Sequence, residues 1–294
     1  MPLRSWYTGG LSLSSANQDM SSACPIGVFD SGVGGLSVAR ELLAQLPAEP
    51  LLYFADQAHV PYGARPAGEI RALVAGAARY FLRHDAKLIV IACNTASAVA
   101  LKALRAALPA VPIVGMEPAV KPAVEHTRTG KIGVIATPTT FRGELFASLL
   151  DRFAEPSRVE VLTEVCPGFV EAVEAGAAET PETAALVADR LGLLLAQDID
   201  QLVLGCTHYP FLRSAIARAA GPGVTIVDPA PAVARHVGHV LAERDLLAPG
   251  GHTPRHAWVT SGDRARFTEL LRTLIGDVSG AVRRARWGRN AAGR

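Results

Sequence analysis

The sequence predicts an α/β protein of two pseudo-symmetric domains, each a mainly parallel sheet covered by helices, with a cleft between them. Three observations carry this. Short β-branched runs alternate with Ala/Leu-rich stretches of helical spacing along most of the chain, as in repeated strand–helix–strand units. The apolar runs, such as Leu88-Ile89-Val90-Ile91, do not alternate with polar residues, which is how strands covered on both faces read. The two halves also repeat each other. Ile26-Gly27-Val28-Phe29 returns as Ile132-Gly133-Val134-Ile135 after 106 residues, and two strands end on Cys93 and Cys206, 113 residues apart.

In chain order, residues 1–24 are rich in Ser, Gly and Asn with no apolar run of signal-peptide length, and are expected to be a disordered extension. Strands at 26–29, 51–55, 87–92 and 111–115 alternate with helices at 36–46, 69–82 and 97–108, building a first domain over 25–118. A second domain, 119–224, takes strands at 131–136, 158–163 and 201–204 and helices at 140–153 and 181–196. Strands at 224–227 and 256–260 follow, with a helix at 232–243 between them. Too few residues remain for a third domain, so both strands are expected to return to the first sheet, which 225–275 would complete. Residues 276–294 read as a basic tail.

Composition narrows the function. With 294 residues, 49% hydrophobic and 19% charged, the chain is globular in character. Its net charge of +2 depends on Arg283, Arg284, Arg286, Arg289 and Arg294, which have no acid among them. Without them the body is slightly acidic, which argues against a nucleic-acid partner. No run reaches eighteen apolar residues, so no membrane-spanning helix is expected. Four cysteines without a CxxC argue against a disulfide scaffold and a structural zinc, and fit a reducing cytoplasm. Candidate metal ligands are scattered singly, so no metal is expected. Lys87 and Lys131 begin strands, Lys102 lies within a helix and Lys121 starts one, so a Schiff-base cofactor is not expected either.

Chemistry concentrates at strand ends. The turn Asp30-Ser31-Gly32-Val33-Gly34-Gly35 follows the first strand and opens a helix. Its glycines let backbone approach a ligand, and N–H groups at a helix start favour an anion. The spacing is not G-x-G-x-x-G and the P-loop lysine is missing, so it reads as a carboxylate-binding turn, with Asp30 free to hold an ammonium. Cys93 and Cys206 each sit between a buried-type strand and a helix start. A lone cysteine there is usually a core residue, but two at matching places read as a functional pair. A helix N-terminus and a neighbouring His208 are expected to lower such a thiol from about 8.5 toward neutrality. Cys24 reads as a free surface thiol, Cys166 as packed at a turn, and Glu174 as a solvated face charge.

Four segments carry a family resemblance. Ile26-Gly27-Val28-Phe29-Asp30-Ser31-Gly32-Val33-Gly34-Gly35-Leu36, Pro61-Tyr62-Gly63, Cys93-Asn94-Thr95-Ala96 and Gly205-Cys206-Thr207-His208-Tyr209-Pro210 resemble the signature segments of bacterial glutamate racemases. The likeness runs in order from about Ile26 to Ser261-Gly262-Asp263. It implies a cofactor-independent, two-base racemisation of glutamate, with Cys206 taking the α-proton of L-glutamate and Cys93 protonating the opposite face. Asp30 and His208 would assist the thiols, with Glu174 a further assisting acid. Substrate would be held by Asp30, Ser31, Tyr62, Gly63, Asn94, Thr95, Thr207 and His208, with Thr137 and Thr140 as extra contacts. The resemblance also implies a cytoplasmic homodimer supplying D-glutamate for peptidoglycan.

Two departures and one hint accompany it. Gln57 stands where a smaller residue is expected, at the cleft rim, and the N-terminal extension is long. Pro118-Ala119-Val120-Lys121-Pro122-Ala123 resembles a variant of Gram-negative members, some of which a cell-wall precursor regulates. The residues alone leave alternatives open: a related racemase acting on aspartate or another amino acid, a catalytically silent binding or regulatory homologue, or a redox protein that pairs Cys93 with Cys206.

Overall fold

A computed structural model of the chain describes residues 21–251 and 253–285. The first half runs β1 (Ile26–Asp30), α1 (Leu36–Gln45), β2 (Leu51–Ala55), α2 (Ala67–Leu82), β3 (Leu88–Ile91), α3 (Asn94–Ala107) and β4 (Ile113–Val114). The second half follows as α4 (Val120–His126), β5 (Lys131–Ala136), α5 (Pro138–Phe141), α6 (Glu144–Leu149), α7 (Glu155–Ser157), β6 (Glu160–Val165), α8 (Phe169–Glu174), α9 (Pro181–Leu195), β7 (Gln201–Gly205), α10 (Arg213–Ala220) and β8 (Thr225–Val227). The chain then returns through α11 (Ala230–Glu243), β9 (Ala257–Thr260), α12 (Arg264–Ile275) and β10 (Ala281–Arg284).

Every strand pairing is parallel, in one sheet of order β10-β9-β2-β1-β3-β4 and another of order β6-β5-β7-β8. The second order repeats β2-β1-β3-β4, so β5 corresponds to β1 and β7 to β3. The expected internal repeat is therefore a repeat of topology. The central strands β1, β2, β3 and β7 are buried along their whole length, which is why their sequences are apolar without alternation. Strand order reverses between β1 and β3, and between β5 and β7, and open parallel sheets gather ligands at such points on their carboxyl edge. Asp30, Cys93, Thr137 and Cys206 stand at or just beyond those carboxyl ends.

One apolar cluster runs from Val28, Leu36 and Tyr53 of the first half to Phe169, Val173, Leu204 and Tyr209 of the second, so the halves share a core. Separate clusters fill the far face of each sheet. Among the described residues no helix is long and apolar enough to cross a membrane.

The expected elements need four corrections. Of the two strands expected to return to the first sheet, only β9 does; β8 pairs with β7, because the four-strand repeat needs its fourth member. Residues 281–284, expected in a tail, form β10 beside β9, with the Trp258 indole donating to Ser279 O on the approach. The helix expected at 140–153 breaks at Arg142-Gly143 and passes through a π-turn over Leu150–Ala154 into α7. Residues 21–24, expected to be disordered, form a turn whose Ser22 carbonyl accepts from Lys87 Nζ. Residues 1–20 of that extension and 286–294 of the tail lie outside the described residues.

Lys87 also pairs with Glu49 at 2.6 Å, and both side chains are buried. Glu49 accepts in addition from the Ala248 N–H at 2.7 Å, tying the base of the first sheet to the returning chain. Lys87→Met is expected to destabilise folding by about 3–5 kcal/mol, because it leaves a buried carboxylate without its counter-charge. Adding Glu49→Leu should recover much of that loss in urea unfolding. Wild-type stability in the single variant would show that the charge pair is not needed.

Candidate active site

Cys93 follows β3 and caps α3, accepting the Ala96 N–H at 3.4 Å and donating to Ser31 Oγ at 3.7 Å. Cys206 follows β7, where the chain turns through a short 3-10 segment and no α-helix begins at once. Its sulphur lies 3.7 Å from His208 Nδ1. Both cysteines line one cavity of about 330 Å³ at the junction of the two sheets, together with Ser31, Tyr62, Gly63, Asn94, Thr95, Thr137, Thr207 and His208. Asn94 is 3% exposed, and neither its Oδ1 nor its Nδ2 has a hydrogen-bond partner. A buried amide left open in this way is costly unless a ligand completes it.

The glycine turn after β1 is the socket for the second half. Glu174 Oε1 accepts from the Val33 N–H at 2.8 Å and from His208 Nε2 at 2.8 Å. A Cβ on Gly32 would overlap Glu174 Oε1, and one on Gly34 would overlap His208 Nδ1. Neither glycine has a positive φ, so they are needed for space. Thr207 closes the contact, its hydroxyl donating to Asp30 Oδ1 at 3.1 Å and its carbonyl accepting from Ser37 Oγ at 3.0 Å.

Burial and charge set the two arms apart. Burial pushes the Cys93 thiol up to about 12, with Asp30 adding to it, so the expected lowering at the helix start is overcome. Asp30 is itself pushed up by burial to about 6, against the pull of His208. His208 also resists its charge through burial, yet its bonds to Cys206 and Glu174 hold it well above the usual 6.5. Burial disfavours the Glu174 carboxylate, but His208, Gln57 and the Val33 N–H overcome that and keep it below the ordinary range. The Cys206 arm therefore ends in an imidazolium–carboxylate pair, whereas Cys93 is a protonated thiol beside a carboxyl group.

Residues 26–237 match the family described as Asp/Glu/Hydantoin racemase. The chain belongs to that family. It is 48% identical over 255 residues to a glutamate racemase of Stutzerimonas stutzeri (strain A1501), covering 87% of this chain and 95% of that one. It is similar to the crystal structure of a glutamate racemase isoform from Bacillus anthracis, at TM-score 0.80 and 34% identity over 88% of this chain and 97% of that one. The structure of glutamate racemase from Francisella tularensis in complex with D-glutamate gives TM-score 0.78 and 28% identity over 90% and 98% of the two chains. The chain is thus an isomerase with the racemase fold.

Within this racemase the residues expected from sequence divide into two layers. Ser31, Tyr62, Gly63, Cys93, Asn94, Thr95, Thr137, Cys206, Thr207 and His208 face the cavity, whereas Asp30, Glu174 and Thr140 lie behind that wall. Thr140 hydrogen-bonds Thr137, which in turn bonds Thr95 at 2.8 Å. Glu174 is no solvated charge: its side chain is 13% exposed and locked in the turn. Tyr62 presents its ring, since its hydroxyl is committed to Asp56 at 2.6 Å. Sequence reading missed Cys166, which lines the cavity, and the rim residues Arg142 and Glu171. Cys166 directly follows β6, so it too ends a strand. Exposed Glu160 and half-exposed Glu164 on that edge strand disguised its register and moved the expected end two residues early.

Folded Asp30 keeps its proton up to about pH 6, whereas an ordinary aspartate loses it near 3.8. Between those values the folded chain binds more protons than the unfolded one, so Asp30 weakens folding as pH rises from about 4 to about 6. Asp30→Asn is expected to remove that part of the decline in urea-unfolding free energy; an unaltered decline would assign it to other groups. Gly34→Ala is expected to displace His208 and lower stability by about 1–3 kcal/mol. In NMR titration the His208 imidazole should fall back toward 6.5 in that variant, and an unchanged titration would refute the steric assignment.

Proposed function

We propose that this racemase interconverts L- and D-glutamate by passing the α-proton between two thiols, Cys206 on one face of the substrate and Cys93 on the other. The single observation that carries the reading is the placement of both sulphurs, at equivalent strand ends of a repeated topology, on one cavity beside the unpartnered amide of Asn94. The choice of glutamate is supported by the relatives named above, one of which was crystallised with D-glutamate.

Racemisation at a tetrahedral carbon needs a base on one face and an acid on the other. In the L-to-D direction the Cys206 thiolate, paired with the His208 imidazolium, takes the proton from Cα. The electron pair left on Cα spreads into the α-carboxylate, and the Cys93 thiol delivers its proton to the opposite face. The turnover ends with Cys206 as thiol and Cys93 as thiolate, the arrangement from which the D-to-L direction begins. Cys93 starts this direction with the proton it must give, in keeping with its high pKa. The substrate ammonium brings a positive charge beside buried Asp30, which favours the anionic forms that each direction requires. Hydroxyls of Ser31 and Thr95 and the Asn94 amide supply fixed dipoles for the charge developing on the carboxylate. General acid–base action contributes about 10²–10⁴-fold, so these donors and the exclusion of water must supply the rest. The product would serve peptidoglycan synthesis in the cytoplasm.

L-glutamate in D₂O is expected to lose its α-proton NMR signal and its circular dichroism together. Cys93→Ala and Cys206→Ala should each slow racemisation by at least about 10²-fold. Full racemisation by either variant would refute the two-thiol mechanism, and faster racemisation of aspartate than of glutamate would refute the substrate.

A further inference from the structure

Gln57 stands at the cleft rim where the sequence leads one to expect a smaller residue, and the structure gives it a task. It lies in the loop after β2, half-buried, and its Nε2 donates to Glu174 Oε2 at 3.0 Å. Its Oε1 accepts from the Thr260 hydroxyl at 2.9 Å. That hydroxyl accepts the Gly262 N–H at 3.0 Å, so its proton is directed at Gln57. The amide is thereby oriented with its NH₂ toward the carboxylate. Gly262 makes the room, since a Cβ there would stand 2.9 Å from the Gln57 Cβ. Glu174 then has both oxygens engaged, Oε1 by Val33 and His208 and Oε2 by Gln57.

Resting on the two-thiol reading, we propose that Gln57 is a positioning residue for the Cys206 arm: oriented by Thr260, its amide holds Glu174 so that His208 faces Cys206. The relay Thr260–Gln57–Glu174–His208–Cys206 begins on β9 of the first sheet and ends just past β7 of the second. Gln57 touches neither sulphur and does not line the cavity, so it acts only through Glu174. Among the described residues nothing equivalent serves Cys93, whose side-chain partner is Ser31. Removing Gln57 therefore acts on one thiol of a topologically symmetric pair.

Among the described residues the ionisable groups around Glu174 are His208, Asp30 at the end of β1 and buried Tyr53 of β2. From α12, Arg266 bonds the next carbonyl, Ala175 O, and Glu171 lies one turn earlier on α8 itself. Losing the Gln57 donor leaves the carboxylate easier to protonate, which weakens the imidazolium of His208 that faces Cys206. The acid limb of kcat/KM must then move to higher pH.

The test uses the full chain carrying Gln57→Met, Gln57→Glu or Thr260→Val, beside wild type. Two readouts are taken across pH: kcat/KM for glutamate, and the separate rates at which iodoacetamide alkylates Cys206 and Cys93, resolved by peptide mass spectrometry. Gln57→Met is expected to raise the acid limb by about one pH unit and to slow Cys206 alkylation near pH 6 about ten-fold, leaving Cys93 unchanged. Gln57→Glu should raise the limb further, since two carboxylates in contact cannot both ionise. Thr260→Val frees the amide to turn and should give a smaller shift in the same direction. Wild-type profiles in Gln57→Met would overturn the proposal, as would equal changes at both cysteines, which mark a merely structural role. If Cys206→Ala racemises normally, the two-thiol reading falls, whereas a shifted Cys206 alkylation profile still upholds the Gln57 relay.

Discussion

The site depends on one seated carboxylate. Glu174 reaches from the second half into the turn after β1, where the Val33 N–H meets it and two glycines leave space for it and for His208. The turn has the composition of an anion site, and the anion it holds at Val33 is the protein's own side chain. Because this contact joins the two halves, it also sets how the carboxyl edge of one sheet faces that of the other. Thr207 with Asp30, and Thr139 with the Gly63 carbonyl, complete the joint at 3.1 and 2.9 Å. A shared apolar core behind them makes the joint a continuous packed surface.

On this frame a symmetric topology carries unequal electrostatics. The sheet orders match strand for strand, and the two cysteines occupy equivalent ends. Yet one thiol is buried beside a carboxyl group and the other is backed by an imidazolium and a carboxylate. In the proposed two-thiol reaction one side must begin charged and the other protonated. Repeated backbone with divergent side chains meets that need without a second set of folds.

Much of this was legible before any coordinates. The central strands were located to within a residue because their burial on both faces forbids polar residues, and the paired cysteines followed from strand ends repeating at nearly one offset. The edges were harder. β6 carries Glu160 and Glu164 where it meets solvent, so its end was placed early and Cys166 was read as a turn residue. β10 is short and arginine-rich, and on an edge those charges are compatible with a strand while in sequence they imitate a tail. β8, three residues long, could not announce which sheet it would join, because pairing partners are set by neighbouring strands.

What the sequence determined by itself was local: where the central strands lie, that two of them end in thiols, and which turn is rich in glycine. Those properties follow from residue type and spacing alone. Tertiary structure decided the rest, because the remaining properties belong to pairs of residues far apart in the chain. The glycines proved to be a socket once Glu174, 141 positions from Val33, arrived in it. Cys93 became a buried acid and His208 a cation only through the groups that folding brought beside them, for a pKa is a property of surroundings. In the sequence Gln57 is only a residue larger than expected and Thr260 is unremarkable, and only the docking of β9 beside β2 puts them in line with Cys206.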